Sequence, residues 1–279
     1  MPTATVNGVA LYWESTGGND APNGPLVLVH GSWNDHHSWD AVVPTLARSF
    51  RVITYDRRGH SQSERPTTPG SLAEDAADLA ALITSLGVAP AHVAGTSFGG
   101  AIALRLACER PDLFRSVAAH EPLLFGLLAN HPETRAPLTA VQERIAVVAE
   151  RLKAGDMEAG AREFMESIAL GPGEWDRLPA QVQRTFVFNA PTFLDELLDP
   201  DGAIIDVRAL STFPHPALLT RGTLSPPFFP AVVAVLAGAL SHAEEYAFAG
   251  AGHVPQRSHP DIYVEKLTEF ASRVTSHRT

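Results

Sequence analysis

Ala91-His92-Val93-Ala94-Gly95-Thr96-Ser97-Phe98-Gly99-Gly100 runs from a short apolar segment into a helix-forming one, with a serine at the join. A strand that turns sharply into a helix strains the backbone of the residue at the corner. The residues two before and two after it must then be small, so that strand and helix can pack closely. Gly95 and Gly99 hold those positions around Ser97. A Gly-x-Ser-x-Gly string also occurs in ordinary loops. Here, however, the run from Ala101 to Arg110 has helical composition and stops at Pro111, which completes the strand, turn and helix that a nucleophilic serine of this kind needs.

Outward from this point the chain alternates. Val9 to Glu14 reads as a strand. Leu26-Val27-Leu28-Val29 and Arg51-Val52-Ile53-Thr54-Tyr55 are short continuous apolar or β-branched runs, the form taken by strands buried on both faces of a parallel sheet. Helical spacing follows each of them, over Trp39 to Arg48 and over Ser71 to Leu86. Phe114 to Ala119 predicts a further strand after the Ser97 helix. The alternation breaks from about 122 to 213, where helical patterns over Leu138 to Leu152, Met157 to Leu170 and Pro179 to Phe188 have no strand between them. It resumes with strands at Pro216 to Thr220 and Glu245 to Phe248 and helices at Phe228 to Leu240 and Pro260 to Val274. The pattern predicts an α/β core of residues 1–121 and 214–279, interrupted by a helical cap of residues 122–213.

Composition narrows the class of partner. The 31 acidic and 21 basic residues give a formal charge of -10, which repels phosphate backbones and anionic lipid surfaces, so neither nucleic acid nor a membrane is expected. The start of the chain has neither the basic residues nor the apolar stretch of a secretory signal, which points to the cytoplasm. Phe228 to Leu240 is too short to span a bilayer and reads as a buried helix. The single cysteine, Cys108, has no intramolecular disulfide partner and reads as a small buried apolar residue. A small-molecule substrate and a monomer or homodimer fit this composition.

A serine hydroxyl needs a base within reach. Of the 12 histidines, His253 follows the last strand and so falls at the carboxyl edge of the sheet, where catalytic groups of open α/β sheets collect. His259 reads instead as a capping or surface residue. An oxyanion formed on attack needs backbone N–H donors. Phe98, directly after the serine, is one, and Ser32, in the loop His30-Gly31-Ser32-Trp33 behind the Leu26–Val29 strand, is the other. His30 reads as fixing that loop. His36 and His37 lack a carboxylate or cysteine cluster at ligand spacing and read as an exposed or pocket-lining pair, so no metal is expected.

Together, His30-Gly31, Tyr55-Asp56-Arg57-Arg58-Gly59-His60-Ser61, Gly95-Thr96-Ser97-Phe98-Gly99-Gly100 and Gly252-His253 resemble the landmarks of the α/β-hydrolase superfamily, in order and across nearly the whole chain. The resemblance implies an eight-stranded, mostly parallel sheet, a cap after strand 6, and a serine, acid and histidine triad in that chain order. The usual acid follows strand 7, but here that loop reads Gly222-Thr223-Leu224-Ser225-Pro226-Pro227 and holds no carboxylate. A second location known in the family lies after strand 6, where Ala118-Ala119-His120-Glu121-Pro122 places Glu121. Asp199, Asp201 and Asp206 are lesser candidates. Zearalenone-type lactone hydrolases have a similar His-Glu there and also lack the usual acid, and the chain resembles them further in Ser258-His259-Pro260-Asp261. Haloalkane dehalogenases and coelenterazine luciferases share the acid location, although Ser97 differs from the aspartate nucleophile of dehalogenases and epoxide hydrolases.

The expected chemistry is therefore cofactor-free hydrolysis of an ester or lactone of an apolar small molecule. Ser97 is the nucleophile, His253 the base, Glu121 the acid, and Ser32 and Phe98 the oxyanion donors. Leu123, Leu124, Phe125, Leu127, Leu128, Trp175, Phe186, Phe188 and Phe193 are candidates for an apolar pocket in the cap. Carbon–carbon bond hydrolysis and cofactor-free perhydrolase chemistry use similar triads, and a non-catalytic small-molecule receptor is the contrasting reading.

Overall fold

The computed structural model describes residues 2–130, 135–199 and 204–276. The strands are β1 (Thr3–Val6), β2 (Val9–Thr16), β3 (Pro25–Val29), β4 (Arg51–Tyr55), β5 (Ala91–Thr96), β6 (Phe114–His120), β7 (Ala217–Gly222) and β8 (Ala243–Phe248). They join in one sheet of order β1-β2-β4-β3-β5-β6-β7-β8. β1 and β2 pair antiparallel, as do β2 and β4, and every other pair is parallel. β1 was not expected. The Asn7-Gly8 pair that closes the β1–β2 hairpin has positive φ at both residues (48° and 80°), the two-residue turn that matches the twist of paired strands.

Alternate residues of a strand point to opposite faces, and the core divides accordingly. Leu26 and Leu28 join one cluster with Trp39, Phe50, Leu267 and Phe270, while Val27 and Val29 join the other with Leu79, Ile102 and Leu104. The helices that supply these faces are α1 (Leu72–Ser85), α2 (Phe98–Glu109), α3 (Arg135–Lys153), α4 (Met157–Phe164), α5 (Ala180–Leu198), α6 (Phe228–Ala239) and α7 (Pro260–Ser276). Ser71 caps α1 by accepting from the Glu74 N–H at 3.2 Å. α6 buries Phe228, Phe229, Val232, Val233 and Leu236. Among the described residues, no helix is long and apolar enough to cross a membrane.

Two helices depart from the sequence expectation. The predicted Trp39–Arg48 helix is a turn at His36–Trp39 and a separate four-residue helix at Val43–Leu46. Pro44 lies in the first turn of the latter, where its missing N–H costs nothing, and so starts a new helix instead of continuing one. α5 runs ten residues beyond the predicted end at Phe188 and contains Pro191. Its second half is held by side-chain bonds to the core that offset the lost helical hydrogen bond: Asn189 reaches the β3 loop, and Thr192 bonds His60 at 3.0 Å.

Candidate active site

Ser97 directly follows β5 with φ 55° and ψ -124°, and α2 begins at the next residue. The corner is as tight as the sequence requires. A Cβ on Gly95 would lie 2.2 Å from the Gly99 carbonyl oxygen, and one on Gly99 would lie 2.2 Å from that of Val29. Because Phe98 is the first residue of α2, its N–H lacks an intrahelical acceptor. The loop after β3 approaches the serine from the other side, and a Cβ on Gly31 would stand 3.0 Å from Ser97 Cβ and 3.6 Å from its Oγ.

Glu121 follows β6, and it too has positive φ (42°). Its side chain is fully buried. One carboxylate oxygen accepts the Gly222 N–H at 2.7 Å, and the other pairs with His253 Nδ1 at 2.6 Å. The end of β7 thus contributes a backbone donor just before the loop in which a carboxylate was absent. Burial pushes the Glu121 carboxyl up, but the hydrogen bond from His253 outweighs it and holds the group below the ordinary carboxylate value. Phe229 stacks on the His253 ring with centroids 4.1 Å apart. His120 lies with its Nε2 3.7 Å from Glu121 and its Nδ1 2.9 Å from Thr220 Oγ1. Burial lowers its pKa to about 4, so it stays neutral beside the pair. His120, Glu121 and His253 bring ligand-type atoms within 4.8 Å of one another. Both Glu121 oxygens already accept hydrogen bonds, so the carboxylate is committed to the histidine and to β7.

Ser97, His253, Gly31 and Ser32 line one cavity of about 280 Å³, walled by Phe164, Met165, Leu170, Leu178 and Phe186 from the helical segment between β6 and β7. A larger open cleft of about 740 Å³, lined by His36, His37, Trp175 and Phe188, lacks both Ser97 and His253. Of the apolar residues expected to shape the pocket, only Phe186 lines the Ser97 cavity. Leu123, Leu124, Phe125, Leu128 and Phe193 are packed into the core, with Leu127 against it. Large apolar side chains next to a buried sheet are consumed by packing before they can line a cavity.

The remaining candidates occupy structural positions. Arg57 N–H donates to His30 Nε2 at 3.0 Å, and the other His30 nitrogen pairs with the Gly31 carbonyl, so the ring fixes the β3 loop against the β4 loop. Buried His36 bonds Asp56 at 2.6 Å, and exposed His37 bonds Asp40. Asp199 accepts the Leu72 N–H at the start of α1, and Asp206 caps a short helix at Val207–Ser211. Asp201 lies outside the described residues. His259 caps the short Pro255–Ser258 helix. Cys108 is half buried, its thiol 3.7 Å from the Asp206 carbonyl, and burial pushes its pKa up to about 12.

Sequence reasoning missed a buried ionic cluster beside the site. Arg57 bonds Asp75 at 2.6 Å and Glu196 at 3.1 Å, and Glu196 also accepts from Ser32 Oγ at 2.5 Å. A signal was present: Glu196 continues the buried stripe Phe186, Asn189, Ala190 and Phe193 of α5, and a carboxylate there requires a partner.

Residues 24–260 match the model of the alpha/beta hydrolase fold family. The chain belongs to this family. Among solved structures, the enol-lactonase from Burkholderia xenovorans LB400 superposes on this α/β-hydrolase with a TM-score of 0.80 and 25% identity, covering 96% of this chain and 99% of that one. A thermophilic esterase from Thermogutta terrifontis shares the fold, with a TM-score of 0.77, 22% identity and 98% of both chains covered. In sequence, the chain is 39% identical over 115 residues to the dihydrolipoyllysine-residue acetyltransferase component of an acetoin cleaving system from Pseudomonas putida. That match takes in 41% of this chain and 30% of the relative, so the chain spans less than a third of that protein's length.

Proposed function

We propose that this α/β-hydrolase is a serine hydrolase that cleaves an ester or lactone bond of an apolar small molecule through Ser97, His253 and Glu121. The observation that carries the reading is the buried His253–Glu121 pair opening on the same cavity as Ser97. The likeness to an enol-lactonase supports a lactone or ester as the bond attacked.

In this mechanism Ser97 Oγ attacks the substrate carbonyl while His253 Nε2 takes its proton. Glu121, hydrogen-bonded to Nδ1–H, holds the tautomer that leaves Nε2 free to accept and stabilises the imidazolium that results. The N–H groups of Phe98 and Ser32 receive the oxyanion. His253 then gives its proton to the leaving oxygen, an acyl-enzyme forms on Ser97, and a water activated by His253 releases the acid. The apolar wall from the helical segment acts as a cap that excludes bulk water and accepts the substrate's apolar part. The reading carries with it a cytoplasmic location and no nucleic-acid or membrane partner.

The test is labelling with a fluorophosphonate followed by peptide mapping, alongside turnover of p-nitrophenyl esters. Modification of Ser97 and loss of both signals in Ser97→Ala are expected. A folded protein that stays unlabelled, or a Ser97→Ala variant with full turnover, refutes the assignment.

A further inference from the structure

We infer that Glu196, on α5, is a positioning residue for the oxyanion site, tying the seating of the helical segment to the orientation of Ser32. The inference rests on the serine-hydrolase reading above. Its basis is a set of contacts that converge on both proposed donors. Glu196 Oε2 accepts the Ser32 hydroxyl at 2.5 Å, and Glu196 Oε1 accepts from both terminal nitrogens of Arg57 at 3.1 Å. The same guanidinium lies over the Phe98 ring, 4.6 Å from its centroid. One ionic cluster therefore touches the residue on either side of the expected oxyanion.

The β3 loop needs such support. Trp33, directly after Ser32, has φ 69°, a conformation that a bulky residue keeps only when its surroundings hold it there. Asn189 Nδ2 donates to the carbonyls of Trp33 and Asn34, at 3.2 and 2.9 Å. Asn189 and Glu196 are seven residues apart, two turns along one face of the same helix. α5 thus grips the loop at two points. The Arg57–Asp75 pair would anchor the guanidinium without Glu196, so the third member of the cluster is not required to neutralise it. The additional contact that Glu196 makes is to Ser32.

The variants are Glu196→Ala, Glu196→Gln, Ser32→Ala and the Ser32→Ala/Glu196→Ala double. They are compared by the rate constant of fluorophosphonate labelling, whose developing P–O⁻ uses the same donors, and by kcat and KM on p-nitrophenyl butyrate. Misorienting a donor is expected to cost about tenfold in labelling rate and kcat, less than the roughly 10²–10³ for removing one outright. KM should stay within about twofold, because the contact acts on the transition state and not on ground-state binding. The double variant should be no slower than either single one, since both remove the same hydrogen bond. Gln, which keeps a polar contact to Ser32, should recover most of the loss. Losses that multiply in the double variant, or a Glu196→Ala rate within about twofold of the wild type, overturn the inference. If Glu196→Ala does not fold, Ser32→Ala decides by the same threshold, because it leaves the ionic cluster intact. A wild-type protein that neither labels nor turns over the ester overturns the hydrolase reading, and this inference with it.

Discussion

Replacing Glu121 by glutamine changes one atom and, in this site, reverses a proton. The Gly222 N–H, 2.7 Å from Oε1, can only donate, so the new amide must turn its oxygen toward Gly222 and its NH₂ toward His253 Nδ1, which lies 2.6 Å from the other position. Facing a donor, Nδ1 gives up its proton and Nε2 takes one. The nitrogen that must accept from Ser97 is then blocked, and the imidazolium that forms later has lost its counter-charge. An acid-to-amide change in a triad of this type costs about 10⁴ in kcat. At about 1.36 kcal/mol per decade, that is roughly 5.5 kcal/mol of barrier. The heavy-atom geometry is preserved, so folding should change far less than turnover. The assay is p-nitrophenyl ester hydrolysis by Glu121→Gln, normalised to folded protein by near-UV circular dichroism. Turnover within tenfold of the wild type would show that Glu121 does not set the tautomer of His253.

Two further outcomes follow from packing and burial. Gly95→Ala places a Cβ 2.2 Å from the Gly99 carbonyl oxygen and 2.4 Å from its carbon, both backbone atoms, so strand and helix must separate; a loss of about 3 kcal/mol and a Tm lower by about 6–12 °C are expected, and a Tm within 2 °C of the wild type would refute the close approach. Stability should fall between pH 7.5 and pH 5. Burial lowers the pKa of His30 to about 3 and that of His120 to about 4, and lowers His60 as well. The unfolded chain therefore takes up protons below about pH 6.5 that the folded chain refuses; His30 and His120 each cost about 2 kcal/mol at pH 5, and His60 acts in the same direction. Glu196, which burial pushes up to about 7, has the opposite sign and offsets about one of them, and His36, whose burial is outweighed by its bond to Asp56 so that its pKa is raised, acts in the same sense as Glu196. Urea midpoints at the two pH values measure the net effect, and a higher midpoint at pH 5 would contradict it.

The parts of the molecule that sequence made readable are those governed by local rules. The corner at Ser97 needs two small residues at fixed offsets, and the buried strands β3 and β4 are short apolar or β-branched runs, so both are written in consecutive letters. Glu121 was proposed as the acid because the usual carboxylate is missing, after the family resemblance had said where to look; the structure pairs it with His253. β1 went unread although Asn7-Gly8 announced its hairpin. The cluster of Arg57, Asp75 and Glu196 joins residues up to 139 positions apart, and no local pattern reports such a meeting. The same holds for the cavity wall, where burial alone did not separate residues that pack the core, such as Phe193, from those that border space, such as Phe186.

The backbone around Ser97 also ties the proposed site to the middle of the sheet. Ser97 N–H donates to the His120 carbonyl at 2.9 Å, Leu123 N–H donates to the Ser97 carbonyl at 3.1 Å, and Glu121 N–H donates to Thr220 at 3.0 Å. Ser97 and Glu121 are thereby fastened into the middle of the sheet and share its cooperativity. His253 instead sits on the loop after β8, a strand with a neighbour on one side only. It is buried all the same, paired with Glu121 and stacked on Phe229. The proposed triad is therefore held in two ways, Ser97 and Glu121 by the backbone of the sheet and His253 by the side chains of Glu121 and Phe229.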